Sequence, residues 1–190
     1  INTEVVSVFR KKNGVEITVE GSKIPEMFDN VIFANHSNQV LNILKDPSTN
    51  EIDILSSIPY QKNHITLHTD KSVLPKRKLA WASWNYYLDG DPTHPVMLTY
   101  NMNILQNLKV DKTYCVTLND NGLIDKDKII KKLIYHHPLF TNKGIEAQGR
   151  KHEISGTNST YYCGAYWRNG FHEDGVVSAL DVCKNFGEQL

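Results

Sequence analysis

The sequence has 190 residues, 40% of them hydrophobic and 22% charged, an ordinary globular composition that excludes wholesale disorder. At 21.7 kDa the chain can bury roughly 70% of the surface its unfolded form exposes, so its core requires neither disulfides nor a structural metal. Basic and acidic residues each number 21, and a zero formal net charge argues against a nucleic-acid partner, which would call for a basic excess on one face.

Residues 4–9 and 15–20 alternate apolar and polar side chains around Asn13-Gly14, a β-hairpin pattern in which a type I′ turn takes positive φ at both turn residues. Residues 28–34 form a short continuous apolar run, the pattern of a strand buried on both faces and paired in parallel. Ser37 is placed to cap a helix carrying Val40, Leu41, Ile43 and Leu44 on one face, ended by Asp46-Pro47. Residues 51–58 read as a short helix stopped by Pro59. Three strand candidates follow, at 65–69, 80–88 and 97–102, as a meander or twisted sheet, with breaks at Pro75 and at residues 89–95. Residues 115–118 form another strand, and residues 126–135 read either as a short amphipathic helix or as a helix-to-strand transition. Residues 160–163 are a strand ended by Gly164, and residues 174–186 a helix with Val176, Val177, Leu180 and Cys183 inward and Gly187 past its end.

No apolar run approaches the ~20 residues that cross a bilayer and no leader pattern opens the chain, so the sequence reads as soluble and cytoplasmic. Cys115, Cys163 and Cys183 are odd in number and widely spaced, as reduced thiols are. His64 and His68 lie on a strand, where they share a face without converging, and no metal site is expected. No G-x-S-x-G motif supports a hydrolase. A strand, a glycine, a loop and a helix N-terminus, as at residues 160–175, can present free backbone N–H groups and a positive dipole end to an electron-rich ligand, although glycines before a helix more often serve turn geometry. Lys62 reads as a solvated surface lysine.

Four stretches carry a resemblance: FDNVIFANHSNQVL (28–41), IPYQKN (58–63), AWASWNY (80–86) and YCGAYWRNGFHEDGVVSA (162–179). They resemble the C-terminal half of the flavin-containing amine oxidase superfamily, and within it a bacterial FAD- and NAD(P)-binding oxidoreductase branch. The resemblance implies an α+β fold with a mixed, mostly antiparallel sheet and flanking helices. Residues 1–34 would be a hairpin and strand returning to the FAD-domain layer, 35–158 an amine-oxidase-like substrate domain, and 159–190 the terminal strand, loop and helix of the FAD domain. Strand 28–34, strand 160–163 and the last helix would then lie together.

In this resemblance Gly164, Ala165, Gly170, Phe171, His172 and Glu173 face the cofactor, FAD, near the pyrimidine end of its ring, where a helix N-terminus would stabilise charge on the reduced flavin. Tyr60, Trp81, Trp84, Tyr86, Tyr166 and Trp167 would line the substrate pocket, though any one aromatic residue on a strand more often belongs to a core. No catalytic residue is assigned. The family commonly has an acid just after the strand's glycine, where this chain has Ala165 and Tyr166, which weakens the case for amine oxidation more than for flavin binding.

The family's dinucleotide grip, G-x-G-x-x-G, does not occur in these 190 residues, and the chain opens on Ile1 rather than Met. The expectation is therefore a C-terminal fragment of an FAD-dependent oxidoreductase transferring a hydride between flavin N5 and a small apolar or amine substrate. Its partner would be the missing N-terminal FAD-binding half, and this chain alone would hold no FAD. Apolar surface left by that half would favour a homodimer. The alternative is a stand-alone, non-enzymatic α+β ligand-binding or interaction module.

Overall fold

The computed structural model describes residues 1–88, 90 and 96–188. The chain forms two compact units, one from residues 1–60 and 138–190 and the other, continuous, from residues 61–137.

The first unit opens with strands β1 (Val5–Lys11), β2 (Gly14–Val19) and β3 (Glu26–Phe28), an antiparallel sheet in that order. The hairpin is present, but its loop residues are Lys12 and Asn13. Lys11 pairs with Gly14, which alone takes positive φ here (135°). Glycine is required for a second reason: a Cβ at Gly14 would collide with the Phe28 carbonyl oxygen of β3.

Strand β4 (Val31–Phe33) is shorter than the run 28–34, because Asp29-Asn30 separates it from β3. It is also not buried on both faces. Val31 and Phe33 point into the core, whereas Ile32 is 46% exposed.

Helices α1 (Ser37–Ile43) and α2 (Thr49–Ser56) follow. The α1 cap is His36, one residue before the expected Ser37, and its N–H donates to Gln39 Oε1 at 3.1 Å. In α2, Ser48 Oγ accepts from the Glu51 N–H while the Ser48 N–H donates to Glu51 Oε2, a capping box.

In the second unit the sheet comprises β5 (Tyr60–His68), β6 (Trp84–Tyr87), β7 (Met97–Asn101), β8 (Cys115–Leu118) and β9 (Ile129–Pro138), in the order β6-β7-β8-β5-β9. The three expected strands are thus not one meander, since β8 separates β5 from β7. Residues 80–83 stay out of β6. A 3-10 turn occupies Lys78–Ala80, the Trp81 indole donates to the Pro75 carbonyl at 2.8 Å, and Asn85 Oδ1 caps the Ala82 N–H at 3.1 Å. A short helix, α3 (Met102–Leu105), follows β7. Residues 126–135 prove to be a 3-10 turn (Lys126–Lys128) leading directly into β9, the transition form of the two readings. Of the expected break at residues 89–95, all but Gly90 lies outside the described residues.

One face of this sheet is buried and polar. His68 Nδ1 accepts from the Asp70 N–H at 3.1 Å, so the ring proton sits on Nε2, which donates to Thr117 Oγ1 at 2.7 Å. Thr117 Oγ1 in turn lies 2.8 Å from Thr99 Oγ1. Burial holds the His68 ring below its ordinary pKa, with Asp70 and Asp120 opposing only in part, and His137 is lowered by burial and by His136. A depressed histidine pKa costs nothing above the unfolded value near 6.5 and destabilises as pH falls through it, because the unfolded chain takes the proton first. Urea unfolding should therefore show constant stability between neutral and mildly alkaline pH and a decline below about pH 6.5, by up to ~1.4 kcal/mol per pH unit for each proton. A His68→Gln variant should show a flatter decline, and an unchanged slope would refute this account.

The first unit is completed by α4 (Asn142–Gly149), β10 (Thr160–Tyr162) and α5 (His172–Cys183). β10 pairs with β4 in parallel, Tyr161 opposite Ile32, as the apolar run implied. Of the residues expected inward on α5, Val176 is 49% exposed; Ser178 and Val182 make the buried stripe. Gly187 closes the chain's last 3-10 turn with φ 76°. The fold is thus α+β, its named strands pairing antiparallel among the described residues except for the β4–β10 pair, with a further isolated parallel bridge between Val8 and Leu44, and no helix among the described residues is long and apolar enough to cross a membrane.

Candidate functional site

The strand-glycine-loop-helix segment lies wholly in the first unit. Gly164 follows β10 with φ 151°, and a Cβ there would sit 2.5 Å from the Tyr166 ring, so the glycine makes room for that tyrosine. Its N–H donates to Ser178 Oγ at 3.2 Å, which also accepts from Lys151 Nζ at 3.2 Å. Ser178 thereby ties the end of β10 to α5 and to the turn at Lys151. Burial lowers the Lys151 pKa, reinforced by Arg168 and opposed by Asp181 and Cys163.

Residues Ala165–Trp167 make one 3-10 turn, and the loop closes when the Arg168 and Gly170 N–H groups both donate to the Ala165 carbonyl, at 3.1 and 3.2 Å. Gln148 of α4 reaches over with its amide, donating to the Tyr166 and Arg168 carbonyls at 2.8 Å each. Gly170 takes φ 86° against the Phe140 ring. Phe171 precedes α5, its N–H donating to Asp174 Oδ2 at 3.0 Å. Phe171, His172 and Glu173 are exposed, so the first turn of a 12-residue helix presents its N-terminal N–H groups to solvent. Gly164, Ala165, Gly170, Phe171, His172 and Glu173 thus form one continuous turn, braced from α4 and through Ser178.

The six aromatic candidates are divided between the two units. Tyr60, Tyr166 and Trp167 belong to the first unit, and Trp81, Trp84 and Tyr86 to the second. Tyr166 and Trp167 are 4% and 6% exposed, in the core of their unit, with rings 5.0 Å apart. The Tyr166 hydroxyl and Trp167 indole N–H are buried without a hydrogen-bond partner among the described residues, and burial raises the Tyr166 pKa. Tyr60 stacks on His36 at 4.5 Å and accepts from the Ser37 N–H at 3.1 Å. Trp84 and Tyr86, opposite Tyr100 and Leu98, share the sheet face away from His68, and Trp84 meets Tyr100 edge-on at 5.5 Å.

Sequence reasoning missed Ser178, Gln148, Phe140, His36 and Tyr100. Only Ser178 left a signal, four residues before Val182 on one helix face.

No family model and no curated protein matches the sequence. Solved structures do match. A fatty acid isomerase from P. acnes that produces CLA shares 15% identity over 97% of this chain and 47% of its own, with a TM-score of 0.65. A protein from Exiguobacterium sp. 255-15, assigned as a protoporphyrinogen oxidase, shares 14% over 97% of this chain and 46% of its own, also at 0.65. Wild-type putrescine oxidase bound to putrescine shares 11% over 98% and 49%, at 0.62. At these identities the fold alone is shared, and this chain spans about half the length of each.

Proposed function

We propose that this chain is the part of an FAD-dependent oxidoreductase that supplies the ring-facing turn and the substrate-side sheet. The observation that carries the reading is the parallel β4–β10 pair leading through Gly164 into a braced turn at the exposed N-terminus of α5, in a fold shared with oxidases over about half their length. The residues present fit the ring end of the cofactor. The turn at residues 170–173 is open, and the free N–H groups of α5 complement negative charge on a reduced ring. FAD, when bound, would supply the hydride-accepting position.

This chain's own residues would orient and stabilise that group. His172 and Glu173 would offer backbone N–H groups, while Ser178 and Gln148 would hold the turn in place. Trp84, Tyr86 and Tyr100 give the second unit an apolar aromatic face suited to a small apolar or amine substrate. The pyrophosphate would be held by an N-terminal dinucleotide-binding half, the proposed partner.

Visible absorbance tests the reading. The 190-residue chain mixed with FAD and desalted is expected to stay colourless, and the product of its whole gene is expected to retain the flavin bands. A gene product that retains no flavin would overturn the proposal.

A further inference from the structure

The zero net charge conceals an uneven distribution. Between Lys71 and Leu88 the sequence has four basic residues, Lys71, Lys76, Arg77 and Lys78, and no acidic one. All four are exposed, and Lys71, Lys76 and Arg77 make no ion pair among the described residues. The neighbouring acid, Asp70, is 2% exposed and turned inward. Its carboxylate accepts from the Ser72 and Asp125 N–H groups at 3.1 and 2.9 Å and from Lys128 Nζ at 3.3 Å, so it anchors the base of the loop without neutralising its surface.

Apolar side chains stand in the same patch. Leu79, inside the basic run, is as exposed as a side chain can be (103%), and Leu88 at the end of β6 is 77% exposed. Lys78 lies over the Trp81 ring at 5.8 Å, and Lys76 shares with Tyr86 and Tyr87 the wall of a groove of about 440 Å³. The loop and the end of β6 are therefore one surface.

We propose that this surface docks on an anionic lipid membrane, the lysines and arginine against the headgroups and Leu79 and Leu88 entering the interface. Charge complementarity selects the sign of the partner, since every charged side chain described between Lys71 and Leu88 is basic. The leucines select its nature. A phosphate backbone gives an extended leucine nothing to bury in, whereas a lipid surface has negative charge directly above apolar depth. Docking of this kind is peripheral, requires no membrane-spanning helix, and does not depend on the flavin reading.

Co-sedimentation with vesicles of phosphatidylcholine alone, and of phosphatidylcholine with phosphatidylglycerol, tests it. The protein is expected to bind only the anionic vesicles, with affinity falling as salt rises. Each basic side chain near such a surface contributes about fivefold, so the triple variant Lys76→Ala, Arg77→Ala, Lys78→Ala should bind about a hundredfold more weakly. Leu79→Ser should lose the binding that survives at high salt, and Lys23→Glu, an exposed lysine on the other unit, should change nothing. Thermal melts should be unaltered, because every substituted side chain is exposed. Equal binding to both vesicles, no binding to either, no loss in the triple variant, or capture by RNA or heparin in place of vesicles would overturn the proposal.

Discussion

Replacing Arg10 with methionine is expected to destabilise the protein by roughly 3–5 kcal/mol, the largest effect of any single charge removal in this fold. Arg10 projects from β1 with its side chain 7% exposed and donates to Glu51 Oε1 and Oε2 at 2.6 and 2.9 Å and to Asp46 Oδ2 at 2.9 Å. Glu51 is 1% exposed and also accepts from the Tyr162 hydroxyl at 2.6 Å and the Ser48 N–H at 2.7 Å. Every oxygen and nitrogen of the pair is occupied, so losing the guanidinium leaves a buried carboxylate with two donors and no compensating charge. The double variant Arg10→Met, Glu51→Leu should recover much of the loss, because it removes both desolvated charges. Urea unfolding of the two variants is the measurement, and a double variant weaker than the single one would contradict the account.

The same cluster fixes a pH dependence. Burial alone would raise the Glu51 pKa, but the hydrogen bonds from Arg10, Tyr162 and Ser48 outweigh it and hold the carboxyl below its ordinary value of 4.5. Its stabilising contribution is therefore complete above about pH 4.5 and is lost as pH falls toward the native value.

The second large effect is expected at Gly164. Gly164→Val puts a branched side chain at φ 151° into the space of the Tyr166 ring. Backbone strain of about 1–3 kcal/mol and overpacking of similar size both apply. Because Tyr166 and Ser178 hold the turn leading to α5, FAD affinity of the proposed flavoprotein should fall together with its melting temperature. Gly149→Ala is the control. It ends α4 with open space around it and no positive φ, and should stabilise by up to about 1 kcal/mol while leaving flavin affinity unchanged. Equal flavin affinity in the Gly164→Val and parent proteins would separate that turn from the cofactor.

That β4 pairs in parallel was legible in its compact apolar run, whereas β10 as its neighbour was expected only from the resemblance, and the first turn of α5 lay in residues read as loop, the helix being expected from Asp174. Helix α4 was not legible. Asn142-Lys-Gly-Ile carries no apolar stripe, and the helix is held instead by the Thr141 hydroxyl capping the Gly144 N–H at 3.0 Å and by Gly144 lying against the Ser57 carbonyl. The pairing of β5 with β8 and the Arg10–Glu51–Tyr162 cluster were equally hidden, since they join residues 41 to 111 positions apart that carry no local mark of each other. Within the candidate turn the glycines were visible from sequence, whereas the burial of Tyr166 and Trp167 and the bracing by Ser178 and Gln148 arise only from packing.

The continuous second unit interrupts the first between Tyr60 and Pro138, where the Leu139 N–H donates to the Pro59 carbonyl at 2.8 Å and brings the two cut points together. Translation imposes an order on such an arrangement. Residues 61–137 leave the ribosome as a complete set and can fold at once, while β4 must wait for β10 and Glu51 for the Tyr162 hydroxyl. Until then residues 1–60 carry a buried-type carboxylate and an unpaired strand edge, so within the first unit this stretch needs protection while the rest is being made.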